Sequence, residues 1–162
     1  MRRSLIAVLG AVLALALFQS PAMASASFGE VLATTAGQSL LITFEERGLQ
    51  PGQNYAYTGS GTARLTFQCY RTKTFTPVDH KKRVTGGVSP DPRAYTANRE
   101  SVVAGFIYLW PDISWPDFCK RGQESVPIRV CYWPEDIVDF VQPFDVYWFP
   151  DGTRICGPVE PD

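Results

Sequence analysis

The sequence predicts an all-β domain, a sandwich or barrel of antiparallel strands, and three observations carry that reading. Runs rich in β-branched and aromatic residues recur between residues 40 and 149. Gly, Pro, Asp and Asn punctuate them at intervals of roughly 8–12 residues. Strands do not alternate with long helical patterns, so a parallel sheet is not expected.

In chain order, Arg2 and Arg3 precede an apolar run from Leu5 to Phe18, and Pro21–Ala26 offers small-residue frames after Ala24 or Ala26. That layout predicts an export signal over 1–26 and a secreted domain over 27–162; the run is too short and wrongly flanked for a membrane anchor. Leu40–Glu46 (LLITFEE) reads as a strand, closed by the Gly48-Leu49-Gln50-Pro51-Gly52 turn cluster. Asn54–Thr58 leads through Gly59-Ser60-Gly61 into Thr62–Tyr70, the best-alternating run. Residues 72–92 hold Lys73, His80, Lys81, Lys82 and Arg83 with few large apolar residues, and read as a solvated hairpin tip or long loop; the other reading, a basic patch for an acidic partner, has only this short run behind it. Within it, 84–88 is expected to return as an edge strand. Ser101–Trp110, Val126–Trp133 and Phe144–Phe149 complete the strands, and Pro134–Phe140 has the spacing for one or two helical turns.

The expected mature segment carries 13 basic against 16 acidic residues. This mild acidity argues against nucleic acid, which needs a concentrated basic face, and gives no reason to expect a membrane partner after signal cleavage.

Cys69, Cys119, Cys131 and Cys156 form an even set behind the export signal, so a disulfide framework is expected. Three connectivities are open. Local reasoning prefers Cys69–Cys119 with Cys131–Cys156, because a strand folding back after Phe149-Pro150-Asp151-Gly152-Thr153 brings Cys156 to Cys131 without a long crossing. A redox or metal role would need CxxC spacing or a histidine cluster, and His80 is the single histidine. No cofactor fingerprint occurs, and no cofactor or metal is expected.

Thr43-Phe44-Glu45-Glu46-Arg47-Gly48-Leu49, Pro51-Gly52-Gln53, Tyr57–Ala63 and Phe67-Gln68-Cys69 together resemble a family of small exported proteins of actinomycete-type bacteria. The resemblance covers about residues 38–130. It implies an immunoglobulin-like antiparallel β-sandwich, and it favours the Cys69–Cys119 pairing, with Gly122-Gln123 following the second cysteine. Cys131, Cys156 and the tryptophan-rich second half depart from the family pattern.

All four tryptophans are followed closely by proline and then an acid: Trp110-Pro111-Asp112, Trp115-Pro116-Asp117, Trp133-Pro134-Glu135 and Trp148-Phe149-Pro150-Asp151. Turn chemistry explains the pattern in part. Rings at strand ends would also gather at one pole, where indoles bordered by carboxylates suit sugar stacking or a protein interface. The expected contact residues are therefore Trp110, Trp115, Trp133 and Trp148, with Asp112 and Asp117 as acceptors. A non-catalytic module binding an extracellular protein or glycan is expected. The alternative is a protease inhibitor or toxin-like effector presenting Trp115–Cys119 as a rigid loop. A carboxylate-dependent hydrolase is the weakest reading: Glu45 and Glu46 point to opposite faces of a strand, and nothing selects a distant pair such as Glu46 with Asp112.

Overall fold

The strongest alternating runs do become the central strands. The computed structural model describes residues 25–141 and 145–159 and contains no helix among them. The expected export signal therefore lies, but for Ser25 and Ala26, outside the described residues. Among the described residues there are nine strands: β1 (Ser27–Ala36), β2 (Ser39–Arg47), β3 (Asn54–Arg71), β4 (Pro77–Asp91), β5 (Arg93–Thr96), β6 (Val102–Asp112), β7 (Gln123–Asp139), β8 (Val146–Trp148) and β9 (Ile155–Pro158).

All nine join one antiparallel sheet in the order β1-β2-β6-β4-β3-β7-β8, with β5 paired to β3 and β9 to β7. The hinge of the sheet is β4. Its first part, Pro77 to Gly87, pairs β3, and its last, Gly87 to Asp91, pairs β6. One leaf (β1, β2, β6) thus passes through β4 into the other (β3, β5, β7, β8, β9).

The leaves face each other across one core. Leu40, Ile42 and Phe44 of β2 and Ile107 and Leu109 of β6 meet Tyr57, Leu65 and Phe67 of β3 and Val130, Tyr132 and Ile137 of β7. The Phe44 and Tyr57 rings lie 4.4 Å apart although β2 and β3 are not sheet neighbours. At the far side the sheet almost closes on itself: the Tyr132 hydroxyl of β7 donates to Gln38 O in the β1–β2 turn, and Gly157 of β9 lies against Thr35 of β1. Burying these large apolar side chains is the main favourable term for the fold, at about 1.5–3 kcal/mol each.

The all-β antiparallel class is present, with both preferred disulfides, Cys69–Cys119 and Cys131–Cys156, and no free cysteine. Several expectations need correction. Residues 77–91 are one 15-residue strand rather than a loop with a short edge strand. Backbone pairing to β3 creates it, since most of its side chains stay exposed and supply no apolar face. The helical turns expected over 134–140 are absent because β7 stays extended to Asp139, held by β3 on one edge and β8 on the other. Gly59-Ser60-Gly61 does not end a strand; β3 runs through it for 18 residues.

That continuity depends on Gly61, whose φ of 154° and closeness to Trp133 O (2.6 Å from an added Cβ) exclude a side chain. Gly61 opposes Pro134 and Ser60 opposes Asp136, so Glu135 is the extra residue of a bulge. Pro134 is tolerated mid-strand at this bulge, where a missing N–H costs least.

Candidate functional site

The structure brings Trp133 and Trp148 together. Trp148 ends β8 opposite Asp136 of β7, and Phe149 N donates to Glu135 O at 3.0 Å. The chain then turns at Pro150–Thr153, where the Thr153 hydroxyl donates to Pro150 O at 2.6 Å, and returns as β9. The Cys131–Cys156 bridge joins directly opposed residues of β7 and β9 at a Cα separation of 4.1 Å. A groove of about 440 Å³ results, lined by Trp133, Glu135, Trp148, Phe149, Asp151 and Thr153 among others. The Trp148 side chain is 68% exposed. Two guanidiniums lie over the half-buried Trp133 ring, Arg64 at 4.9 Å and Arg154 at 5.5 Å. Such contacts hold a cation over an aromatic face at about 0.5–1 kcal/mol each when solvent reaches them.

The other expected contact residues stand in different surroundings. Trp110, 48% exposed, ends an outward row on β6 with Phe106 and Tyr108, whose successive ring centroids are 5.6 and 6.2 Å apart. Tyr95 of β5 continues the row, its hydroxyl donating to Phe106 O at 2.6 Å. Trp115, 59% exposed, packs its edge on Phe67 at 5.5 Å beside the Cys119 bridge. Asp112, the last residue of β6, pairs with Gly87; Asp117 lies exposed in the following loop. The expected gathering of several rings at one pole is met by two of the four. Trp110 and Trp133 sit within strands, and only Trp133 and Trp148 share a groove.

Phe106 and Tyr108 were not singled out from sequence, and Glu135, noted there as the acid after Trp133-Pro134, was not among the expected contact residues. The run SVVAGFIYLW is apolar on both faces, which ordinarily means a strand buried on both sides. Here one face is open to solvent. Glu135 reaches the groove through the bulge, which no periodicity reports.

A second polar cluster lies inside the core. Glu46 of β2 is fully buried and accepts a 2.6 Å hydrogen bond from the Tyr57 hydroxyl across the two leaves. Asp139, also buried, and Asp145 face it from the end of β7 and the approach to β8. Burial raises the Glu46 carboxyl to about 8, and the acid neighbours add to this, while the Tyr57 bond acts the other way. Loss of solvent also pushes the Tyr57 and Tyr132 phenols upward.

Glu45, two residues from its ion-pair partner Arg47, is on the opposite face, as the alternation requires. Glu46 is sealed in the core while Asp112 is exposed, so those two carboxylates cannot flank one scissile bond. Among the described residues no group of three His, Cys, Asp or Glu side chains could hold a metal ion. Comparison with protein-family models, curated proteins and solved structures finds no match to this chain.

Proposed function

We propose that the protein is an exported, non-catalytic binding module that takes an extracellular glycan at the Trp133–Trp148 groove. The observation that carries this reading is the groove itself: two indoles, one largely exposed, beside the Glu135 and Asp151 side chains. Aromatic faces pack against the apolar faces of sugar rings, and carboxylates accept their hydroxyl protons. Export is supported by the two disulfides, which persist in oxidising compartments, and by the layout of residues 1–26. The immunoglobulin-like sandwich belongs to the same proposal. Its support is the packing of two leaves on one core, here joined through β4.

The Phe106–Tyr108–Trp110 row, exposed at Phe106 and Trp110, favours a second reading, a protein partner on the β6 face. Tryptophan emission titrated with a panel of soluble polysaccharides tests the glycan reading. A shift that disappears in Trp148→Ala is expected. Undiminished binding in that variant, together with losses in Trp110→Ala, would transfer the function to the β6 face.

A further inference from the structure

Charge is distributed over this molecule in a way its total conceals. Residues 64–83 and 120–129 hold Arg64, Arg71, Lys73, Lys81, Lys82, Arg83, Lys120, Arg121 and Arg129 against two acids, Asp79 and Glu124. The rest of the described chain has four cations and twelve acids.

The sheet gathers those two basic segments. β3 pairs β4 on one edge and β7 on the other, and the Cys69–Cys119 bridge fixes the loop that carries Lys120 and Arg121. Thr66 is opposed by Arg83 on one side and Arg129 on the other. The three residues therefore share the outer face, with the two arginine backbones roughly 10 Å apart. Arg64 lies two residues earlier along β3 on the same face, its guanidinium over Trp133. Lys81 lies one row the other way, opposite Gln68. Neither ion pair formed among the described residues, Arg47–Glu45 or Arg93–Asp91, involves a cation of this patch. Neighbouring charges at about one Debye length add their potentials.

From this continuity of cationic face, Arg-flanked indole and groove we infer that the ligand is an acidic polysaccharide. Its anionic groups lie along the outer face of β4, β3 and β7, and one end stacks in the Trp133–Trp148 groove. The inference rests on the groove reading for its stacking end alone. The groove's own rim chooses among polyanions. Glu135 and Asp151 repel an unbroken row of phosphates but accept hydroxyl protons, so a chain carrying both carboxylate or sulfate groups and free hydroxyls fits both halves of the path.

The test uses polygalacturonate, its carboxyl-reduced counterpart, duplex DNA and phosphatidylglycerol vesicles. Binding is measured to the mature protein, to Arg83→Gln/Arg129→Gln and to Trp148→Ala. Both altered arginines are exposed strand residues, and thermal melts check that each variant is folded. The expected result is at least tenfold tighter binding of the acidic polymer than of its reduced form. Affinity should fall about tenfold between 50 and 200 mM salt and about tenfold in the double variant. Equal binding of the native and reduced polymers overturns the inference while leaving the groove reading intact if Trp148→Ala weakens both. Sensitivity to the arginines with none to Trp148 overturns the groove reading and leaves the cationic face. No binding of the acidic polymer, or tighter binding of DNA or vesicles, overturns the inference outright.

Discussion

Glu46→Gln should make the protein more stable at neutral and alkaline pH, although it alters a hydrogen-bonded core residue. Glu46 is faced by Tyr57 on β3, Asp139 at the end of β7 and Asp145 before β8, none of them a cation. Its carboxyl is raised from 4.5 to about 8 by burial first and by the acid neighbours after it. The folded state therefore holds a proton that the unfolded chain releases above pH 4.5. Stability from this group is complete below that pH, falls as pH rises, and levels off above 8. The interval corresponds to about 5 kcal/mol, or a fall of roughly 15–20 °C in Tm for a domain of this size. A glutamine cannot ionise, its oxygen accepts from Tyr57, and its amide can donate to Asp145 in place of the protonated carboxyl. Differential scanning calorimetry from pH 4 to 9 should show wild-type Tm falling while the variant stays nearly level, the two curves diverging most at pH 8. Parallel curves, or a wild type more stable at pH 8 than at pH 5, would refute the reasoning.

Replacing Cys131 and Cys156 together by serine should lower stability by about 3.5 kcal/mol on the chain-entropy estimate for a 25-residue loop, read from the urea midpoint. It should also weaken ligand binding, since the bridge holds β9 against the groove strand. Gly61→Ala forces a side chain onto Trp133 O at a positive φ, and a loss of about 1–3 kcal/mol is expected in the same assay. Trp148→Ala, at a ring 68% exposed, should leave Tm within about 2 °C of wild type, which separates any loss of binding from unfolding. Phe67→Ala, in the core beneath Trp115, should cost about 3–5 kcal/mol and shift the Trp115 emission to longer wavelength.

What could be read from the sequence follows the strength of local patterning. Leu40–Glu46 and Thr62–Tyr70 alternate because one side of each strand is core, so β2 and most of β3 were legible. β1 (SFGEVLATTA) is small and polar, and its pairing with β2 creates it. β4 has too few apolar residues to declare itself, and β7 past Pro134 is kept extended by neighbours on both edges. The cysteine pairing was legible because a short turn sets Cys156 opposite Cys131. At the site, the tryptophans announced themselves, but their grouping did not. Trp133 meets Trp148 through the β7–β8 register, and Glu135 joins them through a bulge opposite Gly61. Phe106 and Tyr108 were hidden in a run whose two faces look alike. The net charge was the least informative quantity, because segments about 40–50 residues apart had to be paired before their cations could be seen as one patch.

The placement of that patch bears on function rather than on folding. Nine cations collected on three adjacent strands, the β3–β4 turn and one stapled loop repel one another, and the strand that carries three of them, β4, buries little in return. Two unit charges 10 Å apart in water cost about 0.4 kcal/mol, so the arrangement opposes folding by an amount comparable to a weak hydrogen bond for each adjacent pair. The two ion pairs formed among the described residues, Arg47–Glu45 and Arg93–Asp91, each join residues two apart in sequence outside the patch. A fold selected for stability alone would intersperse these charges. Natural proteins break local rules mainly at functional sites, and here the break adjoins the groove that Trp133 and Trp148 define. The same surface that weakens the isolated domain is the one a polyanion would stabilise.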